Sequence, residues 1–523
     1  MPPNSNRWKW FFAFSAVFAG LAGFVFWGTW SLDVAPVMPD SPITYPADYL
    51  FRNLCALFKF GKFVPGDIIN FLGSPYFWQE LKYVIALYCA ALGMAYYARG
   101  RGFSYLSAYG SGLLLAFSGY WLTLFSAGHF GWFQWMTYGV FAFGLIDRAM
   151  RLGRIRHWLM LGAVVAWASF NQQDLWLLFT ALTAAYFVWA CAREHRLPWK
   201  GALISLAVFI VIGVPNFRET FGSTIKGREA QIGTDTPDGR WEFVTNWSMP
   251  LEDTEEFFNA RVQGDTSCPF VLSINHAAGV RPYTGALGRS IHAQQGNYRQ
   301  HSLYVGWVTC ILAILGLVLG LKTRKYEVLF FLIAGMICYA FSLGRYFESA
   351  YRLIFALPAG DMIRCPVKWH HLTELCIVVL AAHGIEGILR LNVRRQLALR
   401  FGLALFVLWG AIDLARNAKL YCAPVSIAYA RARNLETSLT VMNVGGTLPR
   451  NILCLARYYG PNYRAYPSLY VVEAMRPFSS ERPELPALPL TGALSIFTSI
   501  AVVAFSLTAS IAEYRRTRPK NLI

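Results

Sequence analysis

The chain has 523 residues, of which 55% are hydrophobic and 15% charged, and its mean hydropathy is +0.37. One water-soluble core cannot bury so much apolar surface, so the composition excludes a soluble globular protein and points to an all-α polytopic membrane protein. The formal net charge of +18 would suggest nucleic acid in a soluble chain, but here Lys and Arg cluster in short links between apolar runs; the charge reads as topology, with no nucleic-acid partner expected.

About twenty apolar residues cross a bilayer core as a helix. Runs near that length predict about twelve transmembrane helices, the first six around 10–30, 80–98, 104–127, 131–147, 157–170 and 175–192. The other six fall around 200–215, 303–321, 327–344, 370–390, 398–417 and 489–512. The first run follows Arg7 and Lys9 as a signal peptide would, but it is long, and bulky aromatics fill the stretch before Ser31 where small residues would permit cleavage. A retained anchor is expected.

Every second link is basic: Arg7 and Lys9, Arg99 and Arg101, Arg148 to Arg156, Arg193 and Arg196, Lys322 to Lys325, Arg390 to Arg395, and Arg515 to Arg518. By the positive-inside rule these links and both termini face the cytoplasm. Residues 1–417 then form a transmembrane core with outer segments at 31–79 and 216–302. A third outer segment covers 418–488, and residues 489–523 supply the last helix and a basic cytoplasmic tail.

In the first outer segment, Leu50, Phe51, Leu54, Leu57 and Phe58 recur at helical spacing beside Arg52, Lys59 and Lys62, a pattern for a helix on the outer interface or packed within the loop. The fifth and sixth runs are interrupted by Asn171, Gln172, Gln173 and Asp174. Reading them as one span would reverse every later basic link, so a hairpin with a short fifth helix is expected. Cys89, Cys310, Cys338 and Cys376 lie within spans and read as packing residues, while Cys422 and Cys454 share one outer segment and are a candidate pair. The sequence holds no phosphate-binding glycine loop, no Cys or His set at metal-ligand spacing and no nucleophile elbow.

Long outer segments and short cytoplasmic links direct function outward. Asp33 and Asp40 stand in the first outer segment, with Asp48, Asp67 and Glu80 further along. Moving a sugar from a lipid phosphate to a hydroxyl needs one carboxylate base, because phosphate leaves without strong acid help; glycoside hydrolysis needs two carboxyl groups. Charge builds on the departing phosphate, and Arg345, Arg352, Arg364 and Lys368, between the ninth and tenth runs on the outer side, are candidate cations for it. The same residues could bind lipid headgroups or cap helices. His129, His370 and His371 are ambiguous between ligand contact and interfacial packing, and His383 with Glu386 suggests an interhelical polar contact.

Six stretches now fall in a familiar order: PDSPITYP around Asp40, LGSPYFWQE ending at Glu80, residues 118–151 with their SG and GH pairs, TNWSMPLEDTEEFF at 245–258, SLYVGWVTCILAILGL at 302–317 and the 343–369 stretch ending in CPVKW. In this order the chain resembles the YfhO-like bacterial membrane proteins of the GT-C class of polytopic glycosyltransferases, from about residue 30 to 390. The Asn171 to Asp174 tip takes the place of a family turn whose glycine and proline are missing here, with Gln173 nearest to its glutamine.

The resemblance implies a GT-C-like helical bundle with outer-face loop helices in the bacterial cytoplasmic membrane. It also implies inverting transfer from a polyprenyl-phosphate sugar donor to a cell-envelope glycan, lipid or protein acceptor on the periplasmic face. Asp40 is then the leading base and Asp33 its rival; Gln79, Glu80, His129, Gln173 and Asp174 line the sugar or acceptor site. Arg345, Arg364, Lys368 and His370 receive the lipid phosphate. Some relatives use a divalent metal, so Mg²⁺ or Mn²⁺ stays open. The alternatives are a transporter or flippase for a lipid-linked or anionic substrate, and a non-catalytic member of a membrane complex.

Overall fold

A computed structural model describes residues 6–26, 34–36, 57, 75–119, 121, 130–170, 173–219, 236–245, 247–260, 262, 303–323, 325–357, 360–391, 395–421, 424–426 and 488–517. Asp33, Asp40, His129, Cys422, Cys454 and nearly all of the 49–63 stretch lie outside these residues.

Each of the twelve apolar runs contains a helix. In the first half these are α1 (Asn6–Phe26), α2 (Pro75–Gly100), α3 (Tyr105–Ala116), α4 (Phe130–Leu152), α5 (Ile155–Ala168) and α6 (Gln173–Arg193), followed by α7 (Trp199–Glu219). A short helix, α8 (Pro237–Thr245), precedes α9 (Trp307–Lys322), α10 (Glu327–Ser342) and a second short helix, α11 (Glu348–Phe355). The chain ends with α12 (His370–Leu389), α13 (Gln396–Tyr421) and α14 (Leu490–Thr517). Seven of the described helices are long and apolar enough to cross a membrane, or eight if α10 and the segment bent 111° from it count as one broken span. α5 and α9 are apolar but shorter, and the last turns of α4 carry Asp147, Arg148 and Arg151. α5 ends at Ala168 and α6 opens at Gln173, and the Trp176 indole of α6 donates back to the Val165 carbonyl of α5 at 3.1 Å.

α12 is the helix the others surround. Within its span, Pro366–Leu389, 78% of the most apolar stretch is buried, against 17% for α14, which therefore runs along the rim. α12 packs on α9, α10, α3 and α13, while α4 joins α2, α5 and α6, and α14 lies on α7 and α5. The tightest seam is α9 on α12, where Gly316 and Gly384 face each other. A methyl group on Gly316 would overlap the Leu380 carbonyl, and one on Gly384 the Leu312 carbonyl. Small residues allow such an approach, and membrane helices gain contact area from it because lipid gives no hydrophobic drive between them.

The predicted alternation of helix ends is visible in side-chain contacts. At one end, here the basic end, Trp10 of α1 stacks on Tyr105 of α3 at 6.2 Å, Arg151 donates to the Gly100 carbonyl, and Arg154 and Arg156 pair with Glu513 of α14. Arg101, Arg193, Lys325 and Arg390 gather there too. At the opposite end the chain beyond α1 and the chain beyond α13 meet: Val34–Pro36 (β1) pairs antiparallel with Pro424–Ser426 (β2), Val34 opposite Ser426. This bridge, the one strand pair among the described residues, ties the first predicted outer segment to the third.

Candidate functional site

The end opposite the basic end is closed by a cap built from distant parts of the chain. α8 starts at Thr236, whose hydroxyl accepts the Gly239 N–H at 3.0 Å, so the first turn has its side-chain cap. Its last residues are stitched to the segment before α12: Cys365 N–H donates to the Val244 carbonyl and Val367 N–H to the Trp247 carbonyl, each at 3.1 Å. Met249 N–H reaches the Ser342 carbonyl at 2.9 Å, and Val305 and Gly306 both donate to the Phe257 carbonyl. Gly119 N–H donates to the Tyr304 carbonyl at 2.9 Å. Parts of the 118–151, 245–258, 302–317 and 343–369 stretches are thereby brought together in one unit.

Backbone strain marks the seam. Trp247 (φ 65°) and Cys365 (φ 61°) are in the left-handed region, which costs a residue with a Cβ about 1–2 kcal/mol and persists where surrounding bonds fix it. Gly344 (φ 50°) meets the same demand without a Cβ, and a methyl there would overlap the Ser248 hydroxyl. That hydroxyl accepts the Arg345 N–H at 3.0 Å and donates to the Thr245 carbonyl at 2.6 Å.

α11 lies across this end. The chain turns 111° after α10, and α11 presents Leu353 outward while burying Tyr351 and Ile354; Phe347 and Leu357 on either side are also exposed. The Tyr351 hydroxyl donates to the Ile363 carbonyl at 2.9 Å, and Trp241 of α8 sits edge-on to Phe355 with ring centres 5.3 Å apart. The exposed face of α11 is mixed: Glu348 and Arg352 pair across one turn beside Leu353, and the Arg352 guanidinium lies 4.5 Å from the centre of the Trp241 ring.

The predicted phosphate-binding residues divide into two pairs. Arg345 is half-buried, and its guanidinium donates to the Glu242 carbonyl and the Thr245 hydroxyl, each at 3.1 Å, closing the C-terminal end of α8. Arg364, also half-buried, sits over the Phe243 ring at 5.1 Å and makes no hydrogen bond or ion pair among the described residues. Lys368 and His370 are fully buried beneath the cap, and the His370 ring lies 4.6 Å from that of Phe257. Gln79 and Glu80 fall in α2, and Gln173 and Asp174 open α6. Among the described residues no three His, Cys, Asp or Glu side chains gather as a metal site.

A second polar cluster lies at the basic end. Arg101 pairs with Glu327 at 2.5 Å and approaches Asp147 at 3.7 Å, while Arg193 pairs with Asp147 at 3.0 Å. Tyr97 donates to Glu327 at 2.6 Å, and Tyr186 to both carboxylates at 3.1 and 3.2 Å. Burial works against the charge on Arg101, but Glu327 and Asp147 outweigh it and hold the guanidinium above the ordinary arginine range. Lys325 is pushed below the usual lysine range by burial and by Arg390. His383 stands 3.9 Å from Glu327, and Glu386 accepts the Ser104 N–H at 2.7 Å and pairs with Arg390 at 2.8 Å. The interhelical contact expected of His383 and Glu386 is thus made by each residue separately, to α10 and to the start of α3.

In the sequence the basic residues of this cluster read as topology markers. The signal for more was present in Asp147 and Glu327, acids placed at the basic ends of two apolar runs. Glu374 is a further acid, set inside the apolar run of α12.

No family model, curated protein or solved structure matches this chain.

Proposed function

We propose that this protein is a membrane glycosyltransferase of GT-C-like architecture, with the twelve predicted spans, moving a sugar from a polyprenyl-phosphate donor to a cell-envelope acceptor at the capped end. The observation that supports it is the cap: exposed Phe347, Leu353 and Leu357 offer apolar contacts for a lipid tail on the same cap as Arg364, which is half-buried and makes no hydrogen bond or ion pair among the described residues. Arg345 supports the seat from behind by holding the end of α8. Lys368 and His370, being buried, act on the cap's interior. The capped end faces the periplasm of a bacterial cytoplasmic membrane under the positive-inside rule.

In this reading Asp40, with Asp33 as its rival, takes the proton of the acceptor hydroxyl. The acceptor oxygen bonds to the anomeric carbon as the bond from that carbon to the phosphate oxygen breaks, with inversion, and the electron pair leaves on the phosphate. Arg364 meets the charge that develops there. Gln79, Glu80, His129, Gln173 and Asp174 are the proposed sugar and acceptor contacts. No step is routed through a metal.

The test is transfer from polyprenyl-phosphate sugars by protein inserted normally in membranes. Asp40→Asn is expected to lower turnover by about 10²–10⁴-fold, the usual worth of a general base. Arg364→Gln is expected to weaken donor use by about 10–150-fold, the worth of one charged hydrogen bond. Unchanged turnover in Asp40→Asn would remove it as the base. A second reading, transport of a lipid-linked substrate, is favoured by the Arg101, Asp147, Arg193 and Glu327 cluster, which joins charges from several helix ends where a substrate or ion path would leave the bundle. Movement of the donor across the bilayer without transfer would decide for it.

A further inference from the structure

α12 leaves the cap with three titratable residues in its first five: His370, His371 and Glu374. Glu374 is fully buried, and neither carboxylate oxygen has a hydrogen-bond partner among the described residues. The chain treats its other carboxylates within the bundle differently. Asp147 and Glu327 are met by two arginines and two tyrosines, Glu386 by Arg390 and a backbone N–H, and Asp413 by the Tyr304 hydroxyl. A bare ionised carboxylate in such surroundings costs several kcal/mol, a penalty that bound hydrogen removes.

Glu374 forms no ion pair among the described residues. One turn above Glu374, His371 stacks on Trp121 with ring centres 4.3 Å apart and meets Trp135 at 6.2 Å. The indole N–H groups of Trp121 and Trp135 are themselves buried and without an acceptor among the described residues. Orphaned buried donors and acceptors in one region signal a small polar species that visits it. Glu374, Trp121 and Trp135 are at most 1% exposed, so the species must be of the size of a proton and the water that carries it.

We propose that Glu374 is a proton-binding site within the bundle. On release the carboxyl O–H bond breaks, its electron pair stays on the carboxylate, and the proton passes to water. The titratable and charged groups on the elements packed about this part of α12 are few. They are His370, His371 and Cys376 on α12, Lys368 in the turn before it, Cys310 on α9, Cys338 and Tyr339 on α10, and Asp413 on α13; the facing part of α6 carries Thr180 and Thr183. The site stands apart from the transfer chemistry: it requires neither Asp40 nor Arg364.

Infrared spectra of the full-length protein in lipid nanodiscs test it. The wild type should show the carbonyl band of a protonated carboxyl that shifts in D₂O and fades as pH rises, and Glu374→Gln should abolish that band. Should Glu374→Gln fail to insert, Glu374→Asp serves, because an aspartic carboxyl absorbs at a different frequency and the band must move. A band unchanged by whichever variant inserts, or one that does not respond to D₂O, would overturn the proposal.

Discussion

Arg101 carries more of the structure than its place in a short basic link suggests. Its guanidinium joins α10 to α4 through Glu327 and Asp147, and Arg193 brings in α6. Removing one member of a buried pair leaves the other uncompensated, at about 3–5 kcal/mol, whereas replacing both with apolar residues of similar size is often far cheaper. Arg101→Met should therefore lower stability in mild detergent by about 3 kcal/mol or more, and Arg101→Met with Glu327→Leu should recover part of that loss. Denaturant titration of both variants checks it; a double variant as unstable as the two single changes summed would contradict the coupling. At this scale the sequence was only partly informative. Basic residues at alternate helix ends were legible as topology, but their partners come from helices up to 357 positions away, and no local spacing reveals such a pairing.

Among the elements, the long apolar helices were the most legible, because twenty apolar residues admit few structures in lipid. α11 was not. It has eight residues, too few for a span or a clear periodicity, and its orientation depends on the 111° turn and on Trp241 and Ile363, which approach from elsewhere. The same limit hid the cap, whose hydrogen bonds join residues 244–249, 257, 305 and 342–367 across the chain. The α9–α12 seam supplies a prediction of its own. Gly384→Val would drive a branched side chain into the Leu312 carbonyl, and separating two backbones costs more than the about 1–3 kcal/mol of ordinary overpacking. The variant should lose thermal stability and yield of monodisperse protein, whereas Gly402→Val, where nothing lies within 4 Å, should not. Equal behaviour of the two would show that the close approach is unimportant.

For the whole molecule, the alternation of basic links predicted which helix ends belong together, and the contacts of α1, α3, α4 and α14 at the basic end agree with it. The proposed chemistry was legible only through resemblance: Asp33, Asp40 and His129 lie outside the described residues, while of the 343–369 cations Arg364 makes no hydrogen bond or ion pair among the described residues, Arg345 is engaged at a helix end, Arg352 pairs with Glu348 and Lys368 is buried. The central claim is that the capped end transfers sugar from a lipid phosphate. It is tested most directly by reconstituting the protein in liposomes carrying a radiolabelled polyprenyl-phosphate sugar, with a water-soluble acceptor supplied on one side only. Labelled acceptor formed only where the acceptor meets the capped end, and lost in Asp40→Asn, is the predicted result; donor that crosses the bilayer with its sugar still attached, and never labels the acceptor, would contradict it.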